Sequence, residues 1–241
     1  MKRGLLKGVI IFVVVLVFYP IVKSGYELRG NNMKSKIWLH RANTIEKFKY
    51  FEEEYDNFEV DVIFRNDNRL EVTHDHDDHS GLYLEEYFKE IQNKKTNLWI
   101  DLKNINDENK SQVCKKLDEI CSDYSIDKKR LIIETRDWQA LSYLTDNEFY
   151  TSWYLDFDSD EINAEDSERL SSLIKEVSSN NSVKAISFYG GNYPYINDLA
   201  LENIDLLSWE HRKQKEMLPF FGRTRSMIYD DKVKVILVKD N

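Results

Sequence analysis

A disulfide framework, a basic excess and a glycine-rich phosphate loop are all missing from this 241-residue sequence. Its two cysteines, Cys114 and Cys121, lie seven apart in "NKSQVCKKLDEICSDY", a segment with helical periodicity. Seven residues of helix span about 10 Å, beyond the reach of a disulfide between them. They fall in register with Val113, Leu117 and Ile120, so they read as buried structural thiols on an apolar helix face. Lysine and arginine number 34 against 43 aspartates and glutamates, a formal net charge of -9. That balance argues against a general nucleic-acid partner, which requires a basic face. No glycine-rich turn follows the first strand candidate, which argues against a dinucleotide-binding fold. Low-complexity tracts and internal repeats are absent too, apart from an alternation of short and long apolar patterns.

The long uncharged apolar run is confined to the start. "MKRGLLKGVIIFVVVLVFYPIV" carries Lys2, Arg3 and Lys7, then nothing charged from Gly8 to Val22. Such a run is a signal peptide or a short membrane anchor; a full span takes roughly 17–25 residues. Val22-Lys23-Ser24 offers a poor small-residue cleavage site, and no cysteine follows for lipid attachment. We therefore expect residues 1–23 to form an uncleaved hydrophobic anchor helix and 24–35 a polar linker. The basic amino end would stay in the cytoplasm. The domain over 36–241 would then lie outside it, periplasmic or extracellular, and would be secreted if the segment is cleaved.

Past the linker, short apolar runs alternate with longer amphipathic ones, and a hydrophobic content of 41% suffices for a sizeable core. Strands are predicted over Ile37–His40, Phe58–Phe64, Leu98–Leu102, Leu131–Thr135, Tyr150–Tyr154, Lys184–Phe188, Ile204–Trp209 and Val233–Val238. Helical patterns such as "TIEKFKYFEEEY", "LEEYFKEIQN", "DWQALSYLTDN" and "DSERLSSLIKEVSS" separate most of them, with Thr44 and Asp137 placed to cap. "RLEVTHDH" follows the turn-like "FRNDN" and reads as a hairpin or rim extension of the second strand. Alternating strands and helices imply parallel pairing. Eight strand candidates in this length predict an α/β fold, a closed (β/α)8 barrel.

Catalytic groups of such a barrel gather at the carboxyl ends of its strands. His40 ends the first strand. Glu59 and Asp61 lie two apart in the second, hence on one face. His74 follows in the rim extension, and Asp101 and Lys103 end the third strand with the same two-residue spacing. Ionisable groups inside apolar strands are costly unless paired or bound to a metal. Singly, each has a dull explanation; three consecutive units that deliver His, Glu-x-Asp, His and Asp-x-Lys point to a site.

The series "HRAN", "EVDV", "THD" and "IDLK", over roughly residues 37–104, resembles the glycerophosphodiester phosphodiesterase-like barrels, a phospholipase-C-like superfamily. That family's first motif usually reads His-Arg-Gly followed by Glu-Asn-Thr; here Arg41 is kept, Ala42 stands for the glycine, and "NTIEKF" follows. Asp101-x-Lys103 in place of Glu-x-Lys is closer to the sphingomyelinase-D-like branch, as is the short interval from His74 to Asp101. Asn43 matches a residue of the menorin-like branch. The resemblance implies one divalent cation, Mg²⁺ or Ca²⁺, held by Glu59, Asp61 and Asp101. It implies acid/base work for His40 and His74, and phosphate binding by Arg41 and Lys103. Three carboxylates without clustered thiols or imidazoles suit such a hard ion, and histidine titrates near working pH.

His76 and His79 in "THDHDDHS" are rivals to His74, which keeps the family's His-Asp order with Asp75. Asn43, Glu134, Tyr189 and Trp209 are candidates for the pocket wall. "HRKQKEMLPFFGRTRS" concentrates six basic residues, counting His211, between the seventh and eighth strands, where barrels frequently bind phosphate. Its Phe220 and Phe221 are candidates to touch lipid. Two functions compete. One is a metal-dependent phosphodiesterase acting on a glycerophosphodiester, a lysophospholipid or a glycerophosphate-containing polymer, by hydrolysis or through a cyclic phosphate. The other is a membrane-anchored binding or assembly module that kept the pocket and lost catalysis, motivated by the missing glycine and the shortened carboxylate at 101.

Overall fold

The computed structural model describes residues 35–210 and 222–240. The expected anchor and all but the last residue of the linker lie outside these residues, as do residues 211–221 of the basic loop. No helix among the described residues is long and apolar enough to cross a membrane.

The strands run β1 (Ile37–Leu39), β2 (Phe58–Phe64), β3 (Leu70–Val72), β4 (Leu98–Leu102), β5 (Leu131–Thr135), β6 (Tyr150–Leu155), β7 (Ala185–Tyr189), β8 (Asp205–Trp209) and β9 (Val233–Val238). All but β3 pair in parallel, in the cyclic order β1-β2-β4-β5-β6-β7-β8-β9. The ring closes through β1, which pairs Ile37 with Ile236 of β9 and Leu39 with Phe58 of β2. This is the expected eight-stranded parallel barrel. β3 stands outside the ring, antiparallel to β2 with Val62 opposite Val72, so the rim extension is a hairpin. Its turn places Asn68 at φ 61, a left-handed conformation that asparagine tolerates.

Seven helices among the described residues connect the strands: α1 (Ile45–Phe51), α2 (Leu84–Ile91), α3 (Lys110–Asp123), α4 (Trp138–Asp146), α5 (Ala164–Ser179), α6 (Tyr193–Asp198) and α7 (Gly222–Tyr229). Thr44 and Asp137 do cap: their side chains accept the backbone N–H of Lys47 at 3.1 Å and of Ala140 at 3.0 Å. Each bond satisfies a donor that the first helical turn leaves without a partner. On α3, Cys114 and Cys121 are buried and unpaired, and burial pushes their thiols up to about 11 and about 12. Both are inert at neutral pH, as a structural role requires.

Strand residues point alternately outward to the helices and inward to the barrel axis. Outward residues such as Phe58, Val60, Val62, Ile100 and Leu102 are fully buried, with Phe58 against Phe48 of α1 at a ring-centroid distance of 4.7 Å. Trp38, Trp99, Ile132, Ala185, Leu207, Val235 and Leu237 form a continuous apolar cluster contributed by six strands. The next inward residues towards the strand ends are Asp61, Asp101 and Glu134. The apolar cluster is therefore the floor on which the polar site stands.

Candidate active site

The register puts the carboxylates together. Asp61 of β2 lies beside Asp101 of β4, and Asp101 beside Glu134 of β5. One carboxylate oxygen from each of Glu59, Asp61 and Asp101 falls in a group whose members all lie within 4.8 Å of one another. Glu59 and Asp61 are 1% and 0% exposed, so no solvent screens this negative charge. Burial, then Asp61 and Asp101, push Glu59 well above the usual carboxylate range. Burial raises Asp101 as well, against the pull of Lys103. Asp61 is held low: the Lys103 ammonium, its hydrogen bond and that of Asn43 outweigh the penalty of burial.

Lys103 Nζ sits 2.6 Å from Asp61 Oδ1 and also bonds Asp101. One ammonium cannot neutralise three carboxylates. Glu59 Oε2 accepts the backbone N–H of Arg41 at 2.6 Å, whereas its buried Oε1 has no hydrogen-bond partner among the described residues. A buried oxygen without a donor is costly unless something supplies positive charge. Three convergent carboxylates, one of them with a buried oxygen unmet, fit a hard divalent cation.

Arg41 turns the chain out of β1. Its φ of 55 is left-handed, and the two flanking N–H groups hold the turn, His40 to Val238 at 2.9 Å and Ala42 to Glu59 at 2.8 Å. The strained residue is thus the arginine itself, a position where strain marks function more often than chance. Its guanidinium reaches from Asp61 Oδ2, 3.6 Å from Nε, to His74 Nε2, 2.7 Å from Nη2. His74 in turn faces Asp75 through Nδ1 at 2.7 Å. Arginine only donates and a carboxylate accepts, so these two contacts fit the His74 tautomer with its proton on Nδ1 and its lone pair on Nε2. His40 lies deeper, its Nε2 3.6 Å from Glu59 Oε2. Burial, reinforced by the Arg41 charge, pushes His40 down to about 3, which keeps it neutral.

These groups line a cavity of about 420 Å³ at the carboxyl ends of the strands. His40, Arg41, Glu59, His74, Asp101, Lys103, Glu134 and Trp209 all contribute to its wall. Glu134 is buried and accepts from Ser187 and, at 3.4 Å, from Ser152. Two candidates are not among the residues around this cavity. Asn43 supports Asp61, donating to Oδ2 at 2.7 Å and accepting the Asp61 N–H at 2.9 Å. The Tyr189 ring lies 5.0 Å from that of Trp209. Of the rival histidines, His76 reaches the cavity edge, and His79 turns to Glu71 at 3.2 Å.

Asp75, Tyr154, Arg136 and Lys239 also line the cavity, and none was among the candidates. Tyr154 stacks on Trp209 at 6.1 Å with an interplanar angle of 7°, and the Arg136 guanidinium lies 4.8 Å from the Tyr154 ring centre. Arg136 and Lys239 each stand one residue beyond a strand, the position the barrel rule singles out. That rule applied to β5, β6 and β9 would have found three of the four.

No family model matches the sequence, and no curated protein matches it. Solved structures do. A glycerophosphodiester phosphodiesterase from Parabacteroides distasonis superposes with a TM-score of 0.58 at 16% identity, over 85% of this chain and 92% of that one. The chain has the fold of the glycerophosphodiester phosphodiesterase barrels. A phosphodiesterase from Oleispira antarctica, solved with the product sn-glycerol-3-phosphate, gives a TM-score of 0.57 at 11% identity, covering 85% and 92%. At such identities the likeness is one of fold: phosphoribosyl anthranilate isomerase from Thermococcus kodakaraensis also superposes, with a TM-score of 0.50 at 12% identity over 85% and 88%.

Proposed function

We propose that the barrel is a divalent-cation-dependent phosphodiesterase that cleaves a glycerophosphodiester-type substrate by histidine acid/base catalysis. The observation that carries the proposal is the carboxylate cluster of Glu59, Asp61 and Asp101, two of whose members, Glu59 and Asp101, line one cavity with His40 and His74. Mg²⁺ or Ca²⁺ held by these three side chains would supply electrostatic stabilisation for the charge that gathers on phosphate oxygens. Arg41 and Lys103 bind the same oxygens, Arg41 through its planar fork.

The two histidines differ in access, and that difference divides their work. His40 is buried and neutral, and it accepts the proton of the attacking water or hydroxyl. The negative charge of a bound phosphate counters the burial and the Arg41 charge that hold its basicity low. His74 sits on an exposed loop, 40% exposed, where it exchanges protons with solvent. An entering phosphate draws the Arg41 guanidinium to itself and releases His74 Nε2, which takes up a proton and delivers it to the leaving oxygen. Asp75 stabilises the imidazolium that this creates. The Tyr154–Trp209 stack gives the alcohol portion a flat apolar wall, which suits the carbon chain of glycerol or of a lysophospholipid. A binding module needs neither the tautomer-fixing Asp75 nor two histidines of contrasting access. From the sequence of residues 1–23, we place the enzyme at a membrane with its barrel outside the cytoplasm.

Phosphorus NMR of residues 34–241 with glycerophosphocholine, lysophosphatidylcholine and poly(glycerol phosphate) tests the reading, with Mg²⁺, Ca²⁺ or chelator. We expect cation-dependent turnover, reduced about 10²–10⁴-fold in His40→Ala and in His74→Ala. The product's shift separates a phosphomonoester from a cyclic phosphate. Absence of divalent-cation binding by calorimetry would sink the proposal.

A further inference from the structure

His74 rides on a loop that has no apolar side chain from His74 to Gly81, "HDHDDHSG". Burial of hydrophobic surface cannot hold such a segment, and most of its residues are exposed. Yet its base is closed, with the Val72 N–H donating to Leu82 at 2.8 Å. Beneath the loop lies Glu71 of β3, 1% exposed, opposite Ile63 of β2 in the hairpin. Glu71 Oε1 accepts the backbone N–H of Gly81 at 2.8 Å, at the loop's far end. Glu71 Oε2 accepts Arg65 Nε at 2.6 Å and faces His79 Nδ1 at 3.2 Å. Arg65, whose side chain is 12% exposed, spends its other two nitrogens on the loop's own backbone. Nη1 donates to the His76 carbonyl at 2.6 Å, and Nη2 donates to that of Asp78.

We propose that the buried Arg65–Glu71 pair is a positioning device that holds the His74–Gly81 loop against the barrel mouth and thereby sets the place of His74 Nε2 in the catalytic site. The inference rests on the phosphodiesterase reading for its catalytic part. The geometry itself favours this role over plain surface pairing. The pair joins the turn that follows β2 to strand β3, and it fastens carbonyls at 76 and 78 and an amide at 81, three points along the loop. Three directed donors from one planar group define an orientation, which a point charge cannot do. A loose loop would displace the histidine by about an ångström, and misplacement on that scale costs about 10²-fold in rate.

The test compares Arg65→Ala and Arg65→Lys in residues 34–241; the lysine variant keeps a positive charge beside Glu71, so the buried carboxylate stays compensated. Hydrogen exchange should accelerate in peptides covering residues 73–82 and stay unchanged in β4 to β9. Turnover should fall about 10²-fold in kcat with KM within about threefold of wild type, without rescue by lysine. In a His74→Ala background, Arg65→Ala should cost nothing more, because a device that acts through His74 has nothing left to place. Wild-type exchange in the loop of both variants overturns the device. So does an equal loss of kcat in the presence and absence of His74. If the loop loosens as expected but wild type turns over none of the phosphodiesters, the failure belongs to the phosphodiesterase reading, and the pair stands as a loop anchor without a catalytic role.

Discussion

At the scale of single residues, the departure most suggestive of lost catalysis is Ala42, which stands where the motif that the sequence resembles has glycine. The left-handed backbone that would demand glycine lies one residue earlier, at Arg41 with φ 55, and Ala42 itself is outside that region. The Ala42 methyl is fully buried, and its carbonyl accepts the Tyr87 hydroxyl. Alanine therefore fits its place and needs no compensating loss of function. Ala42→Gly should leave kcat within about twofold. It should destabilise the fold by about 0.5–1 kcal/mol, because glycine adds unfolded-state entropy and removes a packed methyl. Chemical denaturation measures the second quantity. A large gain of activity in the glycine variant would show that alanine had impaired the site.

At the scale of elements, the strand pattern made most of the barrel legible and most of the site with it. Four of the predicted strands, Phe58–Phe64, Leu98–Leu102, Leu131–Thr135 and Val233–Val238, have the same bounds in the structure, and the others differ by a residue or so. Period-two alternation put Glu59 with Asp61 on one face, and parallel register did the rest by setting Asp61 beside Asp101. What stayed hidden depends on long-range geometry. Nothing local says that Asn43 would bond Asp61, that Tyr154 would stack on Trp209, or that Arg65 would reach loop carbonyls 11 and 13 residues ahead. Strand-end arginine and lysine were available to the same rule and went unread, because charged residues after a strand are usually solvated. The floor of the site is an element-scale matter too. Trp99, fully buried on β4 beside Glu59 of β2, heads the largest buried side chains. Trp99→Ala should cost about 3–5 kcal/mol. For a domain of this size that lowers the thermal midpoint by about 6–20 °C, and it should also weaken divalent-cation binding by loosening the strand that carries Asp101. Thermal unfolding followed by tryptophan fluorescence and circular dichroism checks the first, and calorimetry the second.

At the scale of the whole molecule, the barrel concentrates buried carboxylates at one end, and their titration couples folding to cation binding. Glu59, Asp101 and Glu134 are all raised, chiefly by burial. A raised carboxyl holds its proton in the folded state over a range where the unfolded chain has released it, so ν_N exceeds ν_U and stability falls as pH rises through that range. His40 works in the opposite sense between about 3 and its ordinary 6.5. There the unfolded chain binds the proton that the folded state refuses, so stability rises with pH across that window. Above about pH 6.5 the histidine contribution is complete. A divalent cation must displace the protons of its ligands. Its binding by Glu59 and Asp101 should therefore release protons and should stabilise the fold more at pH 8 than at pH 6. Titration calorimetry in two buffers of different ionisation enthalpy counts the protons directly, and the shift of thermal midpoint with and without chelator gives the stability difference. Glu59→Gln should remove most of the proton release, since the amide has no proton to give up, and weaken the cation about 10-fold or more. Proton release near zero for the wild type would mean that Glu59 and Asp101 are already ionised before the cation arrives, and their raised titration would be overturned.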